Sequence, residues 1–229
     1  MTNFQSRICF GFAPAMLFPK SFEDPYQHFA AIQTCCHNTP YESFETFLPE
    51  DESMRKLCIQ SMQKNEIKLH YNAPGIFQID GEFNPCSENP EYRKNALNLA
   101  KKHICYAAEA ESPIIVFAAC PDKGIKKRPE LLKRFMEYFL ELAELCRTYH
   151  MEITIEPIER HRFKKLILGP FKDCADFMLE AQKNGAANAH LMIDTAHLPL
   201  MEESLETAIK ETQRAGLIHV HLGDAVLDP

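Results

Sequence analysis

The chain has 229 residues, 45% of them apolar and 25% charged, and a net charge of −7. This balance suits a globular chain with its own core and argues against a nucleic-acid surface; no apolar run nears the roughly 18 residues a membrane span needs. Nine cysteines without regular spacing read as reduced thiols rather than a disulfide framework, and the N-terminus, broken by Gly11 and Pro14, makes a poor signal peptide, so a cytoplasmic protein is expected.

In chain order, short β-branched or aromatic runs alternate with longer amphipathic segments. Arg7–Phe12 reads as a first strand, followed by a helix around Pro25–Gln33. The Cys35–Cys36–His37 cluster lacks metal-ligand spacing and reads as loop or core. Ser43–Phe47 is a second short strand, and Asp51–Lys64 is a helix with an acidic first turn. Ile67–Tyr71 is a third strand, and Glu91–Glu109 a helix with Ala96, Ala100, Ile104 and Ala107 on one face. Pro113–Phe117 is a continuous apolar run of the kind found in parallel strands buried on both faces. Pro129–Tyr149 is the clearest helix, with a stripe of Leu132, Phe135, Phe139, Leu142 and Cys146. Met151–Ile155, a helix over Asp173–Lys183, and His190–Ile193 come next. A helix over Glu202–Ala215, ended by Gly216, and a strand over Leu217–Leu222 complete the pattern.

Strands that alternate with helices in units of about 25–40 residues imply parallel βαβ units. Neither a dinucleotide-binding nor a P-loop glycine pattern occurs. The expected fold is α/β, a single (β/α)₈ TIM-barrel domain over residues 1–229. Seven strands make it short by the last βα unit, and a chain that ended there would leave strand edges open to a second copy.

Active sites of such barrels lie at the C-terminal ends of the strands. Those ends carry Glu156, Asp194 with His197 three residues on, and His221; His70 ends the third strand, and Glu45 lies near the end of the second. Each has a bland reading: Glu156 as a loop acid, Asp194 as a helix cap, His197 and His219 as core or loop histidines. Three successive strands that each end in a metal-competent group favour the functional one. Two carboxylates and an imidazole suit one hard-to-borderline divalent ion, Mn²⁺, Mg²⁺, Co²⁺ or Zn²⁺. His219 and His221 share a strand face, and His221, nearer the rim, is the better ligand. The basic run Lys123, Lys126, Lys127 and Arg128 reads as a solvated loop.

The segments ITIEP (153–157), MIDTAH (192–197) and HVHLGD (219–224) resemble strand-end motifs of the xylose isomerase-like TIM-barrel superfamily. That group includes hydroxypyruvate isomerase-like and tagatose epimerase-like proteins and endonuclease IV-type DNA-repair enzymes. The resemblance implies metal ligation by Glu156, Asp194 and His221, acid/base catalysis by Glu156, and substrate contacts from His197, His70 and Arg160. It implies a sugar isomerase or epimerase that moves a proton through an enediol(ate). Three departures stand out: Glu159 replaces the Asn of the subgroup's N-R-x-E sequence, Arg162 replaces its second Glu, and the Glu of an eighth strand is not in the sequence. The alternatives are a catalytically silent sugar-binding relative and an endonuclease IV-type enzyme. The latter needs a His at the end of the fourth strand, where this chain reads FAAC (117–120).

Overall fold

The computed structural model describes residues 8–38, 40–74 and 80–224. They fall into two units, one made of 1–73 and 106–113, the other of 74–105 and 114–229. No helix among the described residues is long and apolar enough to cross a membrane.

The first unit holds three parallel strands: β1 (Gly11–Phe12), β2 (Ser43–Thr46) and β3 (Lys68–Asn72). The expected first strand began at Arg7, which lies outside the described residues; its described part is shorter because only Gly11 and Phe12 pair with β2. A side chain at position 11 would place Cβ 2.2 Å from Ser43 Oγ and 2.6 Å from Ser43 O, so only glycine allows this approach. A short helix α1 (Pro14–Leu17) precedes α2 (Pro25–Asn38), which runs five residues past the expected end at Gln33. Cys35 and Cys36 are therefore helical and buried, which selects core over loop for that cluster.

Helix α3 (Glu52–Lys64) starts where Asp51 caps it, its carboxylate accepting from Met54 N–H at 2.8 Å. On its inner face Arg55 is buried yet fully engaged. Its Nε donates to Glu109 (2.6 Å), its Nη1 to the Pro49 and Glu50 carbonyls, and its guanidinium lies 4.1 Å from the Tyr106 ring centre. A buried cation is tolerated on those terms.

His28 on α2 is also buried, its Nε2 2.9 Å from the accepting Phe47 carbonyl and its ring 4.3 Å from that of Phe47. Burial lowers its pKa from 6.5 to about 4, against the pull of hydrogen bonds to the backbone at Phe47 and Ser21. The unfolded chain takes up this proton near pH 6.5 and the folded chain only near pH 4, so stability falls as pH drops through that window.

The second unit contains residues 90–105 of α4 (Pro90–Glu109), then β4 (Ile114–Ala118), α5 (Arg128–Thr148), β5 (Glu152–Glu156), α6 (Phe171–Lys183) and β6 (Ala189–Asp194). After β6 come a 3₁₀ turn over Thr195–His197, α7 (Leu198–Met201), α8 (Leu205–Ala215) and β7 (Leu217–His221). Strands β4 to β7 pair in order and in parallel. Every residue of β4 is buried, as its unbroken apolar run implies. Phe135 and Phe139 of α5 pack on Phe177 of α6 with ring centres 5.5 and 5.7 Å apart. Leu131 and Tyr138 join the buried stripe of α5, and the expected Leu132 is only half-buried.

The helix expected over Glu202–Ala215 begins later, at Leu205. Ser204 supplies the reason: its hydroxyl accepts from Thr207 N–H (3.1 Å), and Glu202 lies at φ 60°, outside any right-handed helix. Gly216 does close α8, at φ 86°. A Cβ there would meet His190 Nδ1 at 2.6 Å, and that ring is held by Glu152, 2.9 Å from its Nε2.

Two predictions follow from this packing. Between pH 7 and 4.5 the wild type should lose about 2 kcal/mol more stability than His28→Gln in denaturant titrations; equal losses would contradict the burial account. Gly216→Ala should cost about 2 kcal/mol by the same measurement, from strain at positive φ and the clash with His190; an unchanged midpoint would contradict it.

Candidate metal and proton-transfer site

Three strand ends of the second unit build the site. Parallel pairing sets Asp194 of β6 opposite His221 of β7, so the two side chains leave neighbouring strands at one level. Glu156 is the last residue of β5. His197 reaches the same place from the 3₁₀ turn after β6. That turn is anchored on both sides. Leu198 packs in an apolar cluster with Phe171, Ile193 and Ala208, and Thr195 Oγ1 donates to Gly223 O (2.6 Å) while accepting from Gly223 N–H (2.9 Å).

Asp194 fills both roles considered for it. Its Oδ1 accepts from Ala196 N–H (2.8 Å) and caps the turn. Its Oδ2 faces His221 Nδ1 at 3.5 Å and His197 Nε2 at 4.0 Å. Burial raises the Asp194 carboxyl, but the hydrogen bonds from His221 and Ala196 and the His197 charge outweigh it and hold it below the usual range.

Glu156 is 3% exposed. Its Oε1 lies 3.1 Å from His197 Nε2, and its Oε2 4.0 Å from His221 Nδ1. Burial pushes its pKa up, against the pull of both imidazoles. On His197, burial disfavours the charged ring, yet the carboxylates of Glu156, Asp194 and Glu159 win and its pKa is raised. One atom each from Glu156, Asp194 and His197 can be chosen so that all lie within 4.8 Å of one another. The donors are two carboxylate oxygens and imidazole nitrogens with no thiol, a set that fits a hard-to-borderline divalent ion. A buried carboxylate in want of a counter-charge fits it as well.

His70 and Glu45 belong to the first unit, opposite one another in the β2–β3 register, and Glu45 accepts from Asn72 Nδ2 (2.6 Å). Arg160 Nη2 donates to Ile167 O (2.6 Å) and to Asp173 (2.7 Å), a tie between the loop after β5 and the start of α6. His219 neighbours His221 with ring centres 5.0 Å apart. Arg162 pairs with Glu202 at the surface (3.1 Å).

Glu159 is the residue whose position spacing alone did not convey. It is 1% exposed, and its Oε1 accepts from Phe163 N–H (3.2 Å) and Lys164 N–H (2.7 Å). Its Oε2 lies 3.4 Å from His197 Nδ1. The available signal was a second acid three residues after a strand-end acid, across Pro157.

The sequence matches the family described as xylose isomerase-like TIM barrel over residues 29–229, and the chain belongs to that family. The fold class expected from the strand–helix alternation is thus the family's own, with seven of the barrel's strands among the described residues. No curated protein matches the sequence. Among solved structures, D-psicose 3-epimerase from Clostridium cellulolyticum, crystallised with D-tagatose, superposes with a TM-score of 0.76 at 18% identity, covering 93% of this chain and 72% of that one. The 3-keto-D-glucoside 4-epimerase of E. coli gives 0.71 at 16%, covering 95% and 82%. An AP endonuclease, family 2, from Brucella melitensis gives 0.68 at 15%, covering 93% and 78%.

The buried charge of Glu156 carries a stability consequence. In the presence of a chelator at pH 8, Glu156→Gln should raise the unfolding free energy by about 1 kcal/mol, because the amide removes a desolvated charge and keeps the shape. A loss of comparable size would mean that the carboxylate serves the fold.

Proposed function

We propose that this chain is a divalent-metal-dependent isomerase or epimerase of a small sugar or sugar derivative, working by proton transfer through an enediol(ate). The convergence of Glu156, Asp194, His197 and His221 at three adjacent strand ends carries the reading. Membership in a family whose structural neighbours include sugar epimerases supports it.

Glu156, Asp194 and His221 would hold the ion, with His197 beside them. A divalent ion there supplies Lewis acidity to a substrate carbonyl and its neighbouring hydroxyl. Glu156 is the acid/base: its carboxylate takes the proton from the carbon next to the carbonyl, and the C–H electron pair passes into the enediolate. Its raised pKa suits a group that must accept the proton and give it back. Return of that proton to the former carbonyl carbon, with the neighbouring hydroxyl proton passing to the former carbonyl oxygen, completes an isomerisation. Inversion at a single carbon needs a second proton donor on the opposite face of the substrate. His197 Nε2 stands 3.1 Å from Glu156 Oε1, beside the proton-transferring carboxylate, and can hold a substrate hydroxyl. In this reading His70 and Arg160 are further substrate contacts, and Arg160 must first leave Ile167 and Asp173.

The DNA-repair reading has less behind it. Ala118, Ala119 and Cys120, all buried, follow one another at the end of β4, where the endonuclease IV-type pattern calls for a zinc-binding histidine. The net charge of −7 also repels a phosphate backbone.

Titration of the metal-free chain with Mn²⁺ should show binding that Glu156→Gln and Asp194→Asn each weaken by at least about tenfold. In the same variants, turnover on a panel of keto-sugars should fall by about a thousandfold or more for Glu156→Gln. Full metal binding in both variants would overturn the metal site, and full turnover by Glu156→Gln would overturn its role as acid/base.

A further inference from the structure

Glu159 and His197 present two buried polar atoms to each other with nothing else to satisfy them. Neither Glu159 Oε2 nor His197 Nδ1 has a hydrogen-bond partner among the described residues, and they stand 3.4 Å apart. A slight turn of the ring brings them to bonding distance. The other carboxylate oxygen is already committed, since Glu159 Oε1 accepts from two backbone N–H groups, Phe163 and Lys164. Oε2 is therefore the atom left over once the loop is tied. It is fully buried, where an unmatched acceptor costs about 1–3 kcal/mol.

We propose that Glu159 is a positioning residue for His197. Its Oε2 accepts the Nδ1–H of that ring, which fixes the tautomer and turns Nε2 toward Glu156. The inference rests on the proposed function for its purpose, though not for its geometry. The result is a chain of three groups, two buried carboxylates with the half-buried His197 between them, in which the imidazole has one carboxylate on each nitrogen. A carboxylate on the outer nitrogen makes Nδ1 the protonated one and leaves Nε2 to deal with Glu156 and substrate.

Glutamine at 159 separates this role from a merely structural one. Phe163 and Lys164 donate two N–H groups to one side-chain oxygen, so the amide oxygen of Glu159→Gln must stay with them. Its NH₂ then points at His197 Nδ1 as a donor, and Nδ1 must become an acceptor. The loop is preserved while the demand on the imidazole is reversed.

The test is a two-bond ¹H–¹⁵N spectrum of the metal-free, ¹⁵N-labelled full chain, with the His197 signals assigned by their loss in His197→Gln. In the wild type, Nδ1 of His197 should carry a proton; in Glu159→Gln the proton should move to Nε2, leaving Nδ1 bare. Mn²⁺ affinity of that variant should fall by about tenfold. A bare Nδ1 in the wild type overturns the proposal, and so does a protonated Nδ1 in Glu159→Gln. If the variant does not fold, the wild-type spectrum decides alone. Because the tautomer is read without metal, a wild type that binds no Mn²⁺ would overturn the proposed function and leave this assignment standing.

Discussion

Placing a carboxylate at 3% exposure costs several kcal/mol unless something returns the charge it loses in leaving water. Glu156 is in that position, and much of the second unit can be read as a way of holding it there. His197 meets one oxygen and His221 approaches the other. Each imidazole is fixed by a different device: β7 pairing for His221, a capped and packed 3₁₀ turn for His197. These imidazoles carry a positive charge only when protonated. That dependence suits the cluster to a cation as well as to a buried acid, and burial pushes the Glu156 pKa up.

The same economy shows in Asp194. One oxygen caps the turn that carries His197, and the other faces the imidazoles. Fold and site thus share an atom group, so loss of this carboxylate should disturb His197 as well as any bound ion. Glu159 is divided in the same way between a loop and an imidazole.

Much of this was legible in the sequence because the signals were local. The run PIIVF announced a strand buried on both faces, and the stripe on α5 announced its packing side within one residue, Leu131 taking the place of Leu132. The strand ends gave Glu156, Asp194 and His221 because strand termini place side chains in a predictable direction. What was not legible depended on backbone turns between elements. The clasp of Glu159 requires the chain to double back after Pro157 so that Leu166 N–H reaches the Glu159 carbonyl at 3.2 Å. Nothing in the spacing states that return. The later start of α8 was readable in principle from Ser204, a hydroxyl placed to cap the helix at Leu205. Arg160 shows the opposite limit: its place in the motif pointed to substrate, while its guanidinium lies bonded to Ile167 and Asp173.

The central claim is that imidazole nitrogen and buried carboxylate together hold one divalent ion at the ends of β5, β6 and β7. Electron spin-echo modulation of the chain loaded with one equivalent of Mn²⁺ tests it most directly. The account predicts nitrogen coupling from a directly coordinated imidazole. An Mn²⁺ ion that keeps its full water shell, with no nitrogen coupling, would contradict it.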